Sequence, residues 1–344
     1  PGYEKVLLLD FASMAYLLQG DDRAFNVARL AIQWQDEEKE RFRKELEKVV
    51  SKEKEKQKKD KVETLRSRER LVAALDHEFS KYDDIALEVP NAFVNPFGDY
   101  VTGMINEFKS VKLKSLISNA QIAYEQALKL NPESEVLKNA VEDTKKRKSA
   151  DRLIHVVALD GFVPEKKVLS IPLDRDLEVE LPVYNPIESN VSKMIVTTPN
   201  GTALATLSPV ANVEALALRH QKASLPAIQA MLVAATLRDA ALVIGLDSLY
   251  AGLGRLTKKI FDKAMEPDTT SWMSLPSNIL AARFYSPGGL QKLKIQSFDN
   301  RGKKLSEQMV TLDEGDRHFV LVRSMNRTMC AHPSKRIWSQ RDQQ

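Results

Sequence analysis

The chain has 344 residues, 43% of them hydrophobic and 28% charged, with 51 Lys and Arg against 47 Asp and Glu. That length predicts about two domains of ordinary size, and the composition excludes a disordered, collagen-like or disulfide-stapled chain. A net charge of +4 over so large a surface calls for no polyanionic partner, so no nucleic acid is expected. Cys330 is the single cysteine, and the five histidines (His77, His155, His220, His318 and His332) show no ligand spacing. No metal and no cofactor are therefore expected.

Of the 28 Gly and Pro residues, 8 fall in the first 150 positions and 20 in the rest. Both residues interrupt helices and make turns, so this imbalance predicts a helical half followed by a half that contains strands. The expected fold is α+β: a helical domain over 1–150 with a projecting hairpin at about 36–80, a mixed domain over 151–325 and a basic tail over 326–344. The most apolar run, Leu225 to Leu237, falls short of the roughly 20 residues needed to span a bilayer. It reads as a buried helix. A start at Pro1 rather than an initiator Met predicts processing or trimming, with any signal peptide already removed.

From Tyr3 to Leu18, Val6, Leu7, Leu9, Phe11, Met14, Leu17 and Leu18 recur at helical steps. Gly20, Asp21 and Asp22 make a turn, and Ala24, Ala28 and Ala31 give the next helix a small-residue face for close approach. The segment Asp36 to Arg70 then holds 14 basic and 11 acidic residues. Phe42, Leu46, Val49 and Val50 keep a thin apolar stripe, which stops over Ser51 to Lys61 and resumes at Val62, Leu65, Val72, Leu75 and Phe79. This predicts a hairpin with a narrow seam and a charged tip. Lys52, Lys56 and Lys59 at the tip either contact a partner or simply solvate a spacer.

Asn95-Pro96 predicts a helix start, with Asn95 as cap and Pro96 in the first turn. Ala120, Tyr124, Ala127 and Pro132 carry the spacing of the second helix of a tetratricopeptide (TPR) repeat. Its first helix would hold Tyr100 and Gly103, but Gly103 precedes Ala120 by more than the regular interval. An extended helix or loop around Lys109 to Ser115 is expected there. Phe97, Tyr100 and Tyr124 are the aromatic candidates for partner contact.

After Arg152 the pattern becomes short strands at Leu153–Leu159, Val168–Leu173 and Leu177–Val183. Asn212 to Met265 reads as helix, with a break at Ser224-Leu225-Pro226. Strands return at Ile279–Tyr285, Leu290–Phe298, Leu305–Leu312 and His318–Arg323, with hairpin turns at Asp299–Gly302 and Asp313–Asp316. The tail, with Arg327, Lys335, Arg336, Trp338 and Arg341, is either a docking peptide or a frayed end.

Chemistry is sparse. Gly252-Leu253-Gly254 lacks the third glycine and preceding strand of a dinucleotide loop, there is no Gly-x-Ser-x-Gly elbow, and no histidine has a nucleophile and an acid at a recognisable spacing. An enzyme is not expected. Asp268, Trp272 and Arg283 lie in the densest unusual stretch and read as a ligand site or as a structural corner with Trp272 plugging the core.

Asn95-Pro96-Phe97-x-x-Tyr100-x-x-Gly103, the repeat ending at Asn131-Pro132, Gly161-Phe162-Val163-Pro164-x-Lys166, Leu181-Pro182-Val183-Tyr184 and the stretch Asp268 to Gly289 together resemble an uncharacterised family of bacterial envelope proteins. Its members look like TPR-containing lipoproteins, often encoded beside activator lipoproteins of penicillin-binding proteins. The resemblance covers nearly the whole chain and brings no catalytic residues. It implies a non-enzymatic periplasmic scaffold or adaptor, associated with the outer membrane and oligomeric. The implied partners are other envelope proteins, such as a lipoprotein or a peptidoglycan-synthesis, flagellar or secretion machine. Two features depart from the family. The lysine-rich segment around Ser51 to Lys61 is longer and more charged, and this chain has no N-terminal lipid-bearing cysteine, the only route to a membrane that the resemblance implies. The alternative is a peptidoglycan- or small-ligand-binding module in the C-terminal domain.

Overall fold

The computed structural model describes residues 2–57, 65–92, 94–146, 152–174, 177–236, 272–286 and 289–337. Lys59, Asp268, the distal part of the expected helix after 236 and Trp338 lie outside these residues. Helices come first: α1 (Gly2–Leu18), α2 (Arg23–Gln57), α3 (Leu65–Ser80), α4 (Asp83–Ala86), α5 (Pro96–Lys109), α6 (Leu116–Leu130) and α7 (Glu135–Lys145). Strands follow: β1 (Arg152–Asp160), β2 (Glu165–Asp174), β3 (Leu177–Asn185), β4 (Lys193–Thr197), β5 (Ala203–Thr206) and β6 (Ser208–Asn212). After helix α8 (Val213–Thr236) come β7 (Asn278–Ser286), β8 (Lys292–Phe298), β9 (Lys304–Thr311), β10 (Arg317–Met325) and β11 (Thr328–Pro333). The protein is α+β, with its helices mainly N-terminal and its sheets mainly antiparallel.

One sheet has the order β11-β10-β1-β7-β6, a second β5-β4-β8-β9, and β2 pairs with β3 as a separate ribbon. In the first sheet β1 is parallel to β10 and antiparallel to β7. Alternation along β1 sorts its residues into two cores. Leu153 and Val157 join the helices, whereas Ile154, Val156 and Ala158 pack with Met194, Val196, Leu293 and Ile295 of the second sheet. The unbroken apolar run of β1 is thus buried on both faces, and the five-stranded sheet is the middle of three layers.

The helical core contains Leu7, Leu17, Phe97, Tyr100, Tyr124 and Leu137 together with Ile279 and Phe319 from the sheet. The compositional change near residue 150 therefore does not separate two cores. Asn95 caps α5 by accepting from the Phe97 N–H at 2.9 Å, with Pro96 in the first turn. A loop over 110–115 joins α5 to α6.

Four sequence expectations are corrected. Among the described residues α2 and α3 do not close on each other along a seam: each packs against α8, and Val49, Leu75, Phe79, Ala227 and Ile228 form a core with Ile171 and Leu181 of the β2–β3 ribbon. The stripe on α2 is too thin to bury itself alone and gains its cover from α8. Helix α8 does not break at Pro226 but runs through it; in the turn before the proline the Ser224 hydroxyl donates to the His220 carbonyl at 2.7 Å, a back-bond of the kind that accompanies helix bending. Asp313–Asp316 is not a hairpin turn: β9 pairs with β8 and β10 with β1, so the turn crosses between sheets. Arg152 holds it, donating to the carbonyls of Asp313 and Gly315 at 3.2 Å each. Finally, the described part of the tail, 326–337, packs on the fold. It contributes β11 beside β10, Lys335 N–H donates to the Leu18 carbonyl at 2.8 Å, and Ile337 is buried in the helical core.

Candidate functional site

The helix-facing side of the middle sheet carries an ionic cluster. Residues at odd positions of β7 face the helices, and among Ile279, Ala281 and Arg283 the third is charged. Its guanidinium donates from Nε to Glu107 Oε2 at 3.0 Å and from Nη2 to Glu107 Oε1 at 2.5 Å, a bidentate pair. Its Nη1 reaches Asp143 Oδ2 on α7 at 2.7 Å, and Nη2 also meets the Tyr285 hydroxyl at 2.8 Å. The Tyr124 hydroxyl donates to Glu107 Oε2 at 2.9 Å. On β1, His155 Nε2 lies 3.3 Å from the same oxygen, while its Nδ1 is 2.8 Å from the Tyr100 hydroxyl.

The partners assign the protons. His155 is 0% exposed, and burial lowers its pKa despite the neighbouring Glu107, so the ring is neutral. Its Nε2 carries the hydrogen toward the carboxylate and Nδ1 accepts from Tyr100. For Glu107, burial works to raise the pKa, but the Arg283 charge and the hydrogen bonds from Arg283 and His155 outweigh it and hold the carboxyl well below the usual range. Opposite charges thus meet in a dry interior with their hydrogen-bonding capacity used. The cluster joins α5, α6 and α7 to β1 and β7, which suits fastening of layers.

This geometry decides where the candidates stand. Phe97, Tyr100 and Tyr124 are fully buried. They are withdrawn as partner-contact residues, because their rings fill the core and two of their hydroxyls are engaged in the cluster. Lys52 and Lys56 lie on α2. Trp272 packs edge-on against Phe11 of α1, ring centroids 6.0 Å apart, and its Nε1 donates to Ser274 Oγ at 2.6 Å. Arg283, five residues along β7 from Asn278, is committed to Glu107 and Asp143. Trp272 and Arg283 thus engage different partners among the described residues. Sequence reading missed Glu107, Asp143 and His155, although a glutamate between Met104 and Phe108 on an apolar helix face, and a histidine inside the run Leu153–Leu159, are both visible anomalies.

A second feature lies on the outer side of the helical layer. A groove of about 430 Å³ is lined by Phe25, Arg29 and Ile32 of α2, Asp99, Thr102 and Asn106 of α5, and Asn119, Ile122, Ala123 and Gln126 of α6. The spacings are i, i+4, i+7 on α2 and i, i+3, i+7 on α5 and α6, so each helix presents one stripe to it. Beneath it, Asp10 of α1 is 1% exposed, with no hydrogen bond to either carboxylate oxygen among the described residues. A Cβ added to Gly98 would lie 3.2 Å from its Oδ1. Burial, and then the Asp99 charge, raise the Asp10 pKa well above normal, and burial with Asp36 nearby pushes Asp99 up to about 7.

No family model, curated protein or solved structure matches the chain. Among the described residues no helix is long and apolar enough to cross a membrane.

Proposed function

We propose that this protein is a non-enzymatic scaffold or adaptor of a bacterial envelope assembly, periplasmic and associated with the outer membrane, that binds partner proteins through its helical layer. The observation that carries this reading is on α2. Leu30 and Trp34, one turn apart, are 39% and 38% exposed on a side of the helix away from the buried Ala24, Ala28 and Ala31. A half-exposed tryptophan beside a leucine is the kind of anchor that protein interfaces use. Supporting it, Gly103 of α5 faces the Tyr124 ring so closely that an added Cβ would lie 2.5 Å from the ring. Ala120 and Ala127 are buried with Tyr124 on the same helix. We read this α5–α6 pair as TPR-like, a unit suited to presenting extended surfaces. The dense titratable cluster around Glu107 is largely buried and fits fastening rather than turnover. The envelope setting rests on the motif resemblance.

A photo-crosslinking amino acid placed at Trp34 in living bacteria tests the reading. Adducts with envelope proteins that disappear in a Leu30→Asp background are expected. Adducts confined to cytosolic proteins, or none, would overturn it.

A further inference from the structure

Helix α1 is apolar on the side it turns to solvent. Tyr3, Val6, Leu7, Asp10, Met14 and Leu17 face the core, so the opposite side carries Lys5, Leu8, Ala12, Ala15 and Gln19, spaced by three and four residues. Leu8 is 54% exposed, Ala15 is exposed and Ala12 half-buried. Between Lys5 and Gln19 the one charged residue is Asp10, and it is buried. A helix at the surface of a globular protein ordinarily sets charged and polar residues on its outer face. This face runs for about 20 Å with no charge between its ends, and an exposed apolar surface rimmed by charges marks a site of association.

The charges at the two ends identify the occupant. Glu4 and Lys5 begin the face, and Asp22 and Arg23 follow its other end, where the chain turns into α2. The side chains of Lys5, Asp22 and Arg23 are 44%, 68% and 67% exposed. In a second copy of α1 laid antiparallel on the first, Glu4 comes opposite Arg23 of the other chain and Lys5 opposite Asp22, at both ends alike, while Ala12 and Ala15 oppose each other in the middle. A parallel copy would put each charge on its like. We propose that the protein forms a two-fold symmetric dimer through the outer face of α1. Leu8 of each chain lies over the Ala15–Gln19 turn of the other, and the two alanines let the helices approach closely. Within one chain Lys5 already pairs with Glu38 at 3.1 Å, Arg23 with Asp21 at 2.6 Å and Asp22 with Lys109 at 3.8 Å. Exposed pairs of this kind contribute little energy, so the end charges fix orientation and register and apolar burial supplies the affinity. The face is on α1, whereas Leu30 and Trp34 are on α2, so the inference goes beyond the adaptor reading and does not depend on it.

Sedimentation equilibrium of the full chain tests it. Concentration-dependent dimerisation is expected, and Leu8→Asp, at a position already open to water, should weaken the dimer about tenfold or more while the unfolding midpoint of the dilute monomer stays unchanged. In a Cys330→Ser background, a chain with Ala12→Cys mixed with a chain with Ala15→Cys should form the mixed disulfide in excess over either like pair. A chain that stays monomeric at about 0.1 mM, a dimer that Leu8→Asp leaves intact, or like-pair disulfides in excess would each overturn the proposal. A monomer that binds phosphatidylglycerol vesicles through Leu8 would overturn it too, giving the face to lipid. Should the chain stay monomeric while Trp34 still crosslinks to envelope proteins, the dimer falls and the adaptor reading stands; a dimer without envelope adducts at Trp34 gives the reverse.

Discussion

Glu107 receives Arg283, Tyr124 and His155 at once, and this concentration makes the cluster fragile to single changes. Removing one partner leaves the other charge buried without compensation, whereas removing both leaves a neutral gap. Arg283→Met should therefore cost about 3–5 kcal/mol in denaturant unfolding, and Arg283→Met with Glu107→Met should recover part of that loss. Asp99 behaves in the opposite sense. Its folded pKa of about 7 stands above that of an unfolded aspartate, so its contribution is complete at acid pH and is lost as pH rises from about 4 through 7. Asp99→Asn should flatten the stability profile across that window by about 2–4 kcal/mol, as unfolding midpoints at pH 4 and pH 8 would show. At this scale the sequence pointed to Arg283 as unusual but not to its partner. A carboxylate in an apolar helix stripe becomes meaningful once β7 lies across it, and that crossing joins residues far apart in the chain.

At the level of elements, the meeting of α5 and α6 depends on one missing side chain. Gly103→Ala would place a methyl 2.5–3.0 Å from three atoms of the buried Tyr124 ring, which has its hydroxyl tied to Glu107 and little room to retreat. A destabilisation of about 1–3 kcal/mol is expected, measurable as a lowered Tm. The Asn95-Pro96 start of α5, the small residues of α6 and the strands β7 and β10 were all legible, because caps, close contacts and short apolar runs are set by neighbours in sequence. Other elements were not. The weak stripe of α2 looked like half of a hairpin, since its true cover, α8, lies well over a hundred residues downstream. Pro226 looked like a terminus, since the packing of α8 against α2 and α3 that holds it past the proline is tertiary. β11 was hidden inside a basic stretch because an edge strand with one exposed face carries a short, diluted apolar signal.

The whole molecule is three layers fastened through the middle one, and the helical half owes much of its burial to the sheet. Phe97, Tyr100 and Leu137 share a core with Leu153 and Phe319. Cutting the chain at the compositional boundary should therefore expose that core: a 1–150 fragment is expected to bind a hydrophobic dye and lack a cooperative thermal transition, while the intact chain shows one. Composition marked where helices give way to strands, but it carries no information about which faces later meet.

The contact of Leu18 with Lys335, and the Arg336 carbonyl 2.8 Å from where a Gly20 Cβ would stand, set a schedule for biosynthesis. The turn after α1 leaves the ribosome about 315 residues ahead of its cover. At about 5–20 residues per second the interval is on the order of 15–60 s. During that wait Leu17 and its neighbours have no complete shelter, so a nascent chain of this protein is a natural client for chaperones that hold exposed apolar helices until the covering segment arrives.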